Sequence, residues 1–425
     1  DLFANLGTDR IRPFFSRRIG VARDTSTGQN VQNPIDYGVR ISGKINDLVR
    51  VGFLNMQTAA LPDINQPVIN NTVGVLQRQV FKRSFVSAFF VNRQNLRNET
   101  GEFAIGSPSI YNRVVGLDYN LASADNRWSG KFFYHRSFSD QQEKRPFSQG
   151  ARISYTVRGY QLSFEQSLVG GGFEAATGFV PRRGFMNVNP EARLFFYPKK
   201  GAINLHGPAL SYSLITTDST FSRTDQRIRL RYEINFTNTA RLNVNLNQDY
   251  TFLFSEFDPS RSGLTPLPEG SAYNYMNVSA SYNSDRRKVF NFFTRANAGE
   301  YFNGSRYGLS GRLTYRIQPF GTLAIGYDYN QIRLPNLLTG QDTTVNLFLI
   351  GPRIELTFTR NIFLSTFIQY NNQLNNLNIN TRFQWRYKPV SDFFLVYTDN
   401  YSPDGLNLAV RNRAIIAKLT YWLNL

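Results

Sequence analysis

From Asp225 to Phe254 the chain alternates with a period of two. Ile228, Leu230, Tyr232, Ile234 and Phe236 are interleaved with Arg227, Arg229, Arg231, Glu233 and Asn235. After an Asn238-Thr239-Ala240 turn, Leu242, Val244, Leu246, Tyr250, Phe252 and Phe254 alternate with Arg241, Asn243, Asn245, Asn247, Asp249 and Thr251. Such a period puts successive side chains on opposite faces of a pleated strand. Each run is long enough for the roughly 9–11 residues a strand needs to cross a bilayer at a tilt. The number of such hairpins decides between a soluble sheet and a membrane barrel.

They recur along nearly the whole chain. From Pro34 onward, runs rich in Val, Ile, Phe, Tyr and Thr are separated by alternately short and long connections. Short ones fall near Asn46-Asp47, Lys82-Arg83, Arg158-Gly159, Pro198-Lys199-Lys200, Asp285-Arg286-Arg287 and Lys388-Pro389. Long ones fall near Gln94–Pro108, Gly170–Met186, Glu256–Gly270 and Pro335–Asp342. That rhythm predicts an up-and-down meander with its tight turns at one end. The fold class is thus all-β, a single transmembrane antiparallel barrel of about 22 strands, an even number as is usual for bacterial single-chain barrels. Residues 34–425 form the meander. Residues 1–33 form an N-terminal segment, with a first strand expected near 10–20 to carry the chain to the long-loop end.

Composition agrees. Mean hydropathy is −0.36, and no window approaches the run of about 18 apolar residues that marks a spanning helix. A barrel evades both criteria, because inward polar residues dilute the outward apolar ones. Aromatics reach 15%, with 36 Phe and 23 Tyr, which suits interfacial girdles. The formal charge is +18, yet the basic residues recur singly on strands and in doublets at turns rather than in one patch. That distribution argues against nucleic acid. The doublets at the short-turn end meet either solvent or anionic headgroups.

No chemistry stands out. There is no cysteine, and the two histidines, His135 and His206, read as ordinary strand residues. Gly170-Gly171-Gly172 lacks the Lys-Ser/Thr of a phosphate loop. The expectation is a non-enzyme without metal or cofactor.

The polar face carries the candidate function. Lipid-facing positions are Leu230, Leu246, Leu313, Phe383 and Trp385. An outward Arg or Lys at mid-bilayer costs about 2–4 kcal/mol, so the charged set turns inward. Its basic members are Arg227, Arg229, Arg231, Arg241, Arg295, Arg312, Arg316, Arg353, Arg382 and Arg386; its acidic ones are Glu233, Asp249, Asp328 and Glu355. Two readings stay open. Either cross-strand ion-pair ladders fill the interior, or an arginine-lined pore favours anions and sugar-like solutes.

Several segments resemble a Bacteroidota family of outer-membrane barrels whose function is unassigned. They include Phe14-Phe15-Ser16-Arg17-Arg18-Ile19-Gly20, Val115-Gly116-Leu117-Asp118-Tyr119-Asn120, Thr177–Phe185, Asn380–Tyr387 and Ala417–Tyr421. The resemblance implies residence in the bacterial outer membrane and a carbohydrate-binding family 9-like domain ahead of the barrel in full-length members. That domain is absent here, so Asp1 is expected not to be the native start. The functional expectation is a pore or transport component for small anionic or sugar-like solutes. The alternatives are a closed structural barrel among other envelope proteins, a fragment of a TonB-dependent transporter, and a barrel enzyme.

Overall fold

The structure is a computed structural model that describes residues 2–24, 26–64, 66–96, 110–140, 144–261, 263, 266–335, 341–404 and 407–423. The expected loops over 97–109 and 336–340 lie outside the described residues. A short hairpin comes first, β1 (Val21–Arg23) with β2 (Asn30–Gln32). The wall begins with β3 (Ile35–Lys44), β4 (Val49–Thr58), β5 (Ile69–Val80), β6 (Ser84–Asn95) and β7 (Tyr111–Ala122). It continues through β8 (Trp128–Ser139), β9 (Phe147–Thr156), β10 (Tyr160–Val169), β11 (Phe185–Leu194) and β12 (Ile203–Thr217). Then follow β13 (Arg223–Phe236), β14 (Arg241–Phe252), β15 (Ala272–Asn283), β16 (Phe290–Tyr301), β17 (Gly304–Ile317) and β18 (Gly321–Pro335). The last are β19 (Asp342–Thr359), β20 (Ile362–Asn371), β21 (Asn376–Lys388), β22 (Ser391–Asp404) and β23 (Asn407–Leu419).

Among the described residues these 21 wall strands, close to the 22 expected but an odd number, are hydrogen-bonded in chain order with consecutive strands antiparallel, and the sheet closes into a barrel. Tight turns and longer connections alternate, with β16–β17 and β20–β21 joined tightly at the long-loop end as well. No helix among the described residues is long and apolar enough to cross a membrane. The strands are: side chains such as Phe53, Leu76, Leu117, Leu162, Leu230, Leu246 and Trp385 stand 41–59% exposed at alternate wall positions. An apolar belt of that extent belongs in lipid rather than water.

The chain forms two compact units, Asp1–Ala192 with Ser211–Gln226, and Arg193–Leu210 with Arg227–Leu425. In the first, β4–β8 carry apolar side chains on both faces. Phe53, Leu76, Phe90, Val115 and Tyr134 are 39–50% exposed, whereas the alternate set Leu54, Val73, Val75, Phe89, Val91, Val114 and Phe133 is at most 6% exposed. What covers the second set is the N-terminal segment. Leu2, Phe3, Leu6, Ile11 and Phe14, each 2–4% exposed, pack into one cluster with it. Burying a side chain of this size contributes about 1.5–3 kcal/mol.

This corrects the strand expected near 10–20. The segment lies against the inner face and takes no place in the wall. Its buried positions follow no period of two, Pro13 lacks a ladder donor, and Ser16–Arg18 is a 3-10 turn. Gly7 has φ +67, and a Cβ there would run into the Ile11 carbonyl oxygen. The backbone is satisfied otherwise. Thr8 and Ile11 exchange hydrogen bonds at 3.0 and 3.2 Å, and Arg12 and Phe179 at 3.0 and 2.8 Å, while the Phe15 N–H reaches the Thr177 carbonyl at 2.8 Å. The long connection after β10, expected as an outer loop, therefore folds inward. Asn112 on β7 holds it, donating to the Glu174 carbonyl at 3.1 Å and accepting from the Ala176 N–H at 2.9 Å.

Candidate solute site

The second unit has a different inner face. Alternate positions on β13–β18 converge on a recess of about 500 Å³. Its charged lining is Arg227, Arg229, Arg295, Arg306, Asp249, Glu300 and Asp328, and most of the rest is amide, hydroxyl or phenol. The register explains this convergence. Asn247 faces Asn277 across β14–β15, Ser281 faces Arg295 across β15–β16, and Ser310 faces Asp328 across β17–β18. Positions directly opposite on antiparallel strands share a face.

Many of these groups are tied to one another. Arg227 Nε donates to Asp249 Oδ1 at 2.5 Å, and Asn277 Nδ2 reaches the other carboxylate oxygen at 3.1 Å. Arg229 Nε donates to Asn247 at 3.0 Å, and Asn247 in turn to Asn277 at 3.0 Å. Arg306 donates twice to Asn330 Oδ1, at 2.9 and 2.6 Å, with its guanidinium 5.3 Å from the Tyr301 ring centroid. Tyr275, Tyr301 and Phe302 form an aromatic group at the loop-end rim, with ring centroids 4.9–6.3 Å apart.

The other candidates sit elsewhere on this unit. Arg231 and Glu233 line a narrow cleft with Arg193 and His206. Glu233 bridges Arg193 at 3.1 Å and Arg241 at 3.7 Å. Arg312 lines a second hollow, which shares Ser310 and Asp328 with the first. Arg316 lies further along β17 toward the tight turn. Arg353 pairs with Glu355 at 2.6 Å. Arg382 donates to Gln384 at 2.8 Å, and Arg386 meets Asp392 at 3.3 Å. Of the apolar candidates, Leu230, Leu246, Leu313 and Trp385 are 37–50% exposed, and Phe383 is half-buried opposite Leu364.

Alternation alone does not single out Arg306 or Arg193. Arg306 has the same parity on β17 as Arg312, which is the available signal. Arg193 matters only once Glu233 is placed beside it.

The first unit holds another buried polar group. His135 Nε2 meets Asp118 Oδ1 at 2.7 Å, and its Nδ1 faces Ser148 Oγ at 3.4 Å. The composition is that of a hydrolytic triad, but the three residues are 0–1% exposed. Asp118 also accepts from the Gly7 N–H at 2.7 Å and pairs with Lys131 at 3.1 Å. Phe89 and Phe133 enclose the imidazole, with centroids 5.0 and 4.7 Å away. This arrangement clamps the inner segment to the wall and encloses all three side chains.

The molecule is by these features a membrane-type β-barrel with a polar inner recess. No protein-family model and no curated protein matches the sequence. Among solved structures it is similar to the ferric-catecholate import receptor Fiu of E. coli, at 9% identity over 89% of this chain and 71% of that one, with a TM-score of 0.43. It is also similar to the siderophore receptor PirA of Acinetobacter baumannii, at 12% identity, 91% and 72% coverage and a TM-score of 0.42. The ferric enterobactin receptor PfeA of Pseudomonas aeruginosa gives 9%, 91%, 71% and 0.43.

Proposed function

We propose that this chain is an outer-membrane transport component that admits small polar solutes to the recess on β13–β18. The observation that carries the reading is the recess itself, with guanidinium, amide and phenol groups turned to one concave face. Planar guanidinium groups match carboxylates in a bidentate fashion, and amides and phenols exchange hydrogen bonds with hydroxyls. Anionic or sugar-like solutes suit that lining. The apolar belt supports residence in lipid, and the resemblance to the Bacteroidota barrels supports the bacterial outer membrane. No catalytic role is assigned to any residue.

Planar-bilayer recording of the purified barrel tests this. The expected result is conduction with anion preference. That preference weakens as salt rises, because the screening length is about 8 Å at physiological ionic strength and shorter above it. Cation preference would overturn the reading. A second reading, a closed structural barrel in a larger envelope assembly, is favoured by the segment covering the inner face of β4–β8. A barrel that passes no current would support it.

A further inference from the structure

Most inner-face arginines of the second unit have partners. Arg227 pairs with Asp249, Arg241 with Glu233, Arg353 with Glu355 and Arg386 with Asp392. Arg295 and Arg312 do not: among the described residues neither forms an ion pair, and both are exposed. Arg295 has the Phe293 ring beneath it at 5.9 Å.

The register brings the two together. Ser310 lies opposite Arg295, and Arg312 lies opposite Phe293. The two arginines are thus diagonal neighbours on one face, about 7–8 Å apart at the backbone, within reach of one ligand for side chains this long. Ser310 sits between them. On the far side Arg312 faces Gly326, and Gly326 faces Gly351. A Cβ at Gly326 would meet only the Gly351 carbonyl oxygen, at 3.7 Å. Gly326 thus leaves space directly beside Arg312, with the Phe367 ring lying over Gly351 beyond it, and Arg312 also lines a hollow of about 710 Å³ with Asn291, Ser310, Thr314 and Asp328. The one carboxylate lining both hollows, Asp328, accepts from Asn330. Two like charges held side by side repel, and an anion between them relieves this.

We propose that Arg295 and Arg312 form an oxyanion station, in which a carboxylate or phosphate group of a small solute bridges the two guanidinium groups beside the Ser310 hydroxyl. This rests on the reading of the recess as a solute site and names the chemical group that site selects.

Calorimetric titration of the detergent-solubilised full chain with inorganic phosphate, and separately with citrate, tests it. Wild type is expected to bind at least one of them, and the tighter anion identifies the group. Arg295→Gln and Arg312→Gln should each weaken binding roughly tenfold, which is about 1.4 kcal/mol. Gly326→Asp keeps both arginines but sets a carboxylate opposite Arg312, and should weaken binding similarly. Arg353→Gln, which removes an arginine already paired, should leave it unchanged. If an arginine variant fails to fold, shown by loss of the compact band on an unheated gel, Gly326→Asp decides alone. No binding of either anion by wild type, or wild-type affinity in the folded Gln and Gly326→Asp variants, overturns the proposal. Binding in a barrel that conducts nothing would keep the station and remove the transport reading. Conduction without binding would do the reverse.

Discussion

Asp118 shows how much one residue can hold. It sits on β7, takes hydrogen bonds from the Gly7 amide and His135, and pairs with Lys131. Breaking a buried pair by removing one partner costs about 3–5 kcal/mol, since the other charge stays buried without compensation. Asp118→Asn should therefore lower the urea midpoint of the folded barrel and raise amide exchange around Gly7; an unchanged midpoint would mean that the segment is held by apolar packing alone. A second residue-scale prediction concerns the turn between β1 and β2. Hydrogen bonds from the Ser26 and Thr27 hydroxyls and amides hold the Asp24 carboxyl down at about 2. A carboxylate whose folded pKa lies below its unfolded value, ordinarily about 3.9, stabilises fully above that unfolded value. The contribution is lost as pH falls through the folded value. The turn should stay ordered at pH 4 and open as pH nears about 2. Exchange of the Ser26 amide against pH measures it, and opening already near pH 4 would contradict the assignment.

At the scale of the strand, facing is the testable property. Cysteines placed at Arg229, Asn245 and Arg312 should react with a water-soluble thiol reagent in membranes, whereas those at Leu230, Leu246 and Leu313 should not. Ready labelling of the second set would mean that the belt faces water. The wall around the inner segment is also tight at one glycine. A Cβ added at Gly116 on β7 would collide with the rings of Phe89 and His135. Overpacking of this kind costs about 1–3 kcal/mol. Gly116→Ala should lower the unfolding free energy by a comparable amount, read by denaturant melts against wild type.

For the whole molecule, the contrast between the two units matters most. One buries an apolar segment against its inner face, and the other presents a polar recess there. Charging the apolar segment with Leu6→Asp and Phe14→Asp should release it. Hydrogen exchange should rise over residues 2–19 and leave the amides of β13–β18 as they were. If exchange rose throughout, the two units would share one cooperative unfolding step. Conductance of the same variant in a planar bilayer would show whether the segment restricts passage: a higher conductance than wild type is the expected outcome.

The meander was legible because its information is local. In Arg227–Phe236 and Asn376–Lys388 the period of two is written in consecutive residues, and strands that pair are neighbours in the chain. The N-terminal segment was not legible. Its residues bury themselves only because Val73, Val91 and Val114 turn an apolar face to them, and Asp118 binds Gly7 from 111 positions away. The recess was legible by half. Alternation marks a charged face, but which arginine meets a carboxylate depends on register between strands, where a slip of one residue exchanges every partner. Arg227 finds Asp249, while Arg295 and Arg312 face two serines, a phenylalanine and a glycine. Faces follow from the chain's own period, whereas partners follow from distances that exist only once the strands are laid side by side.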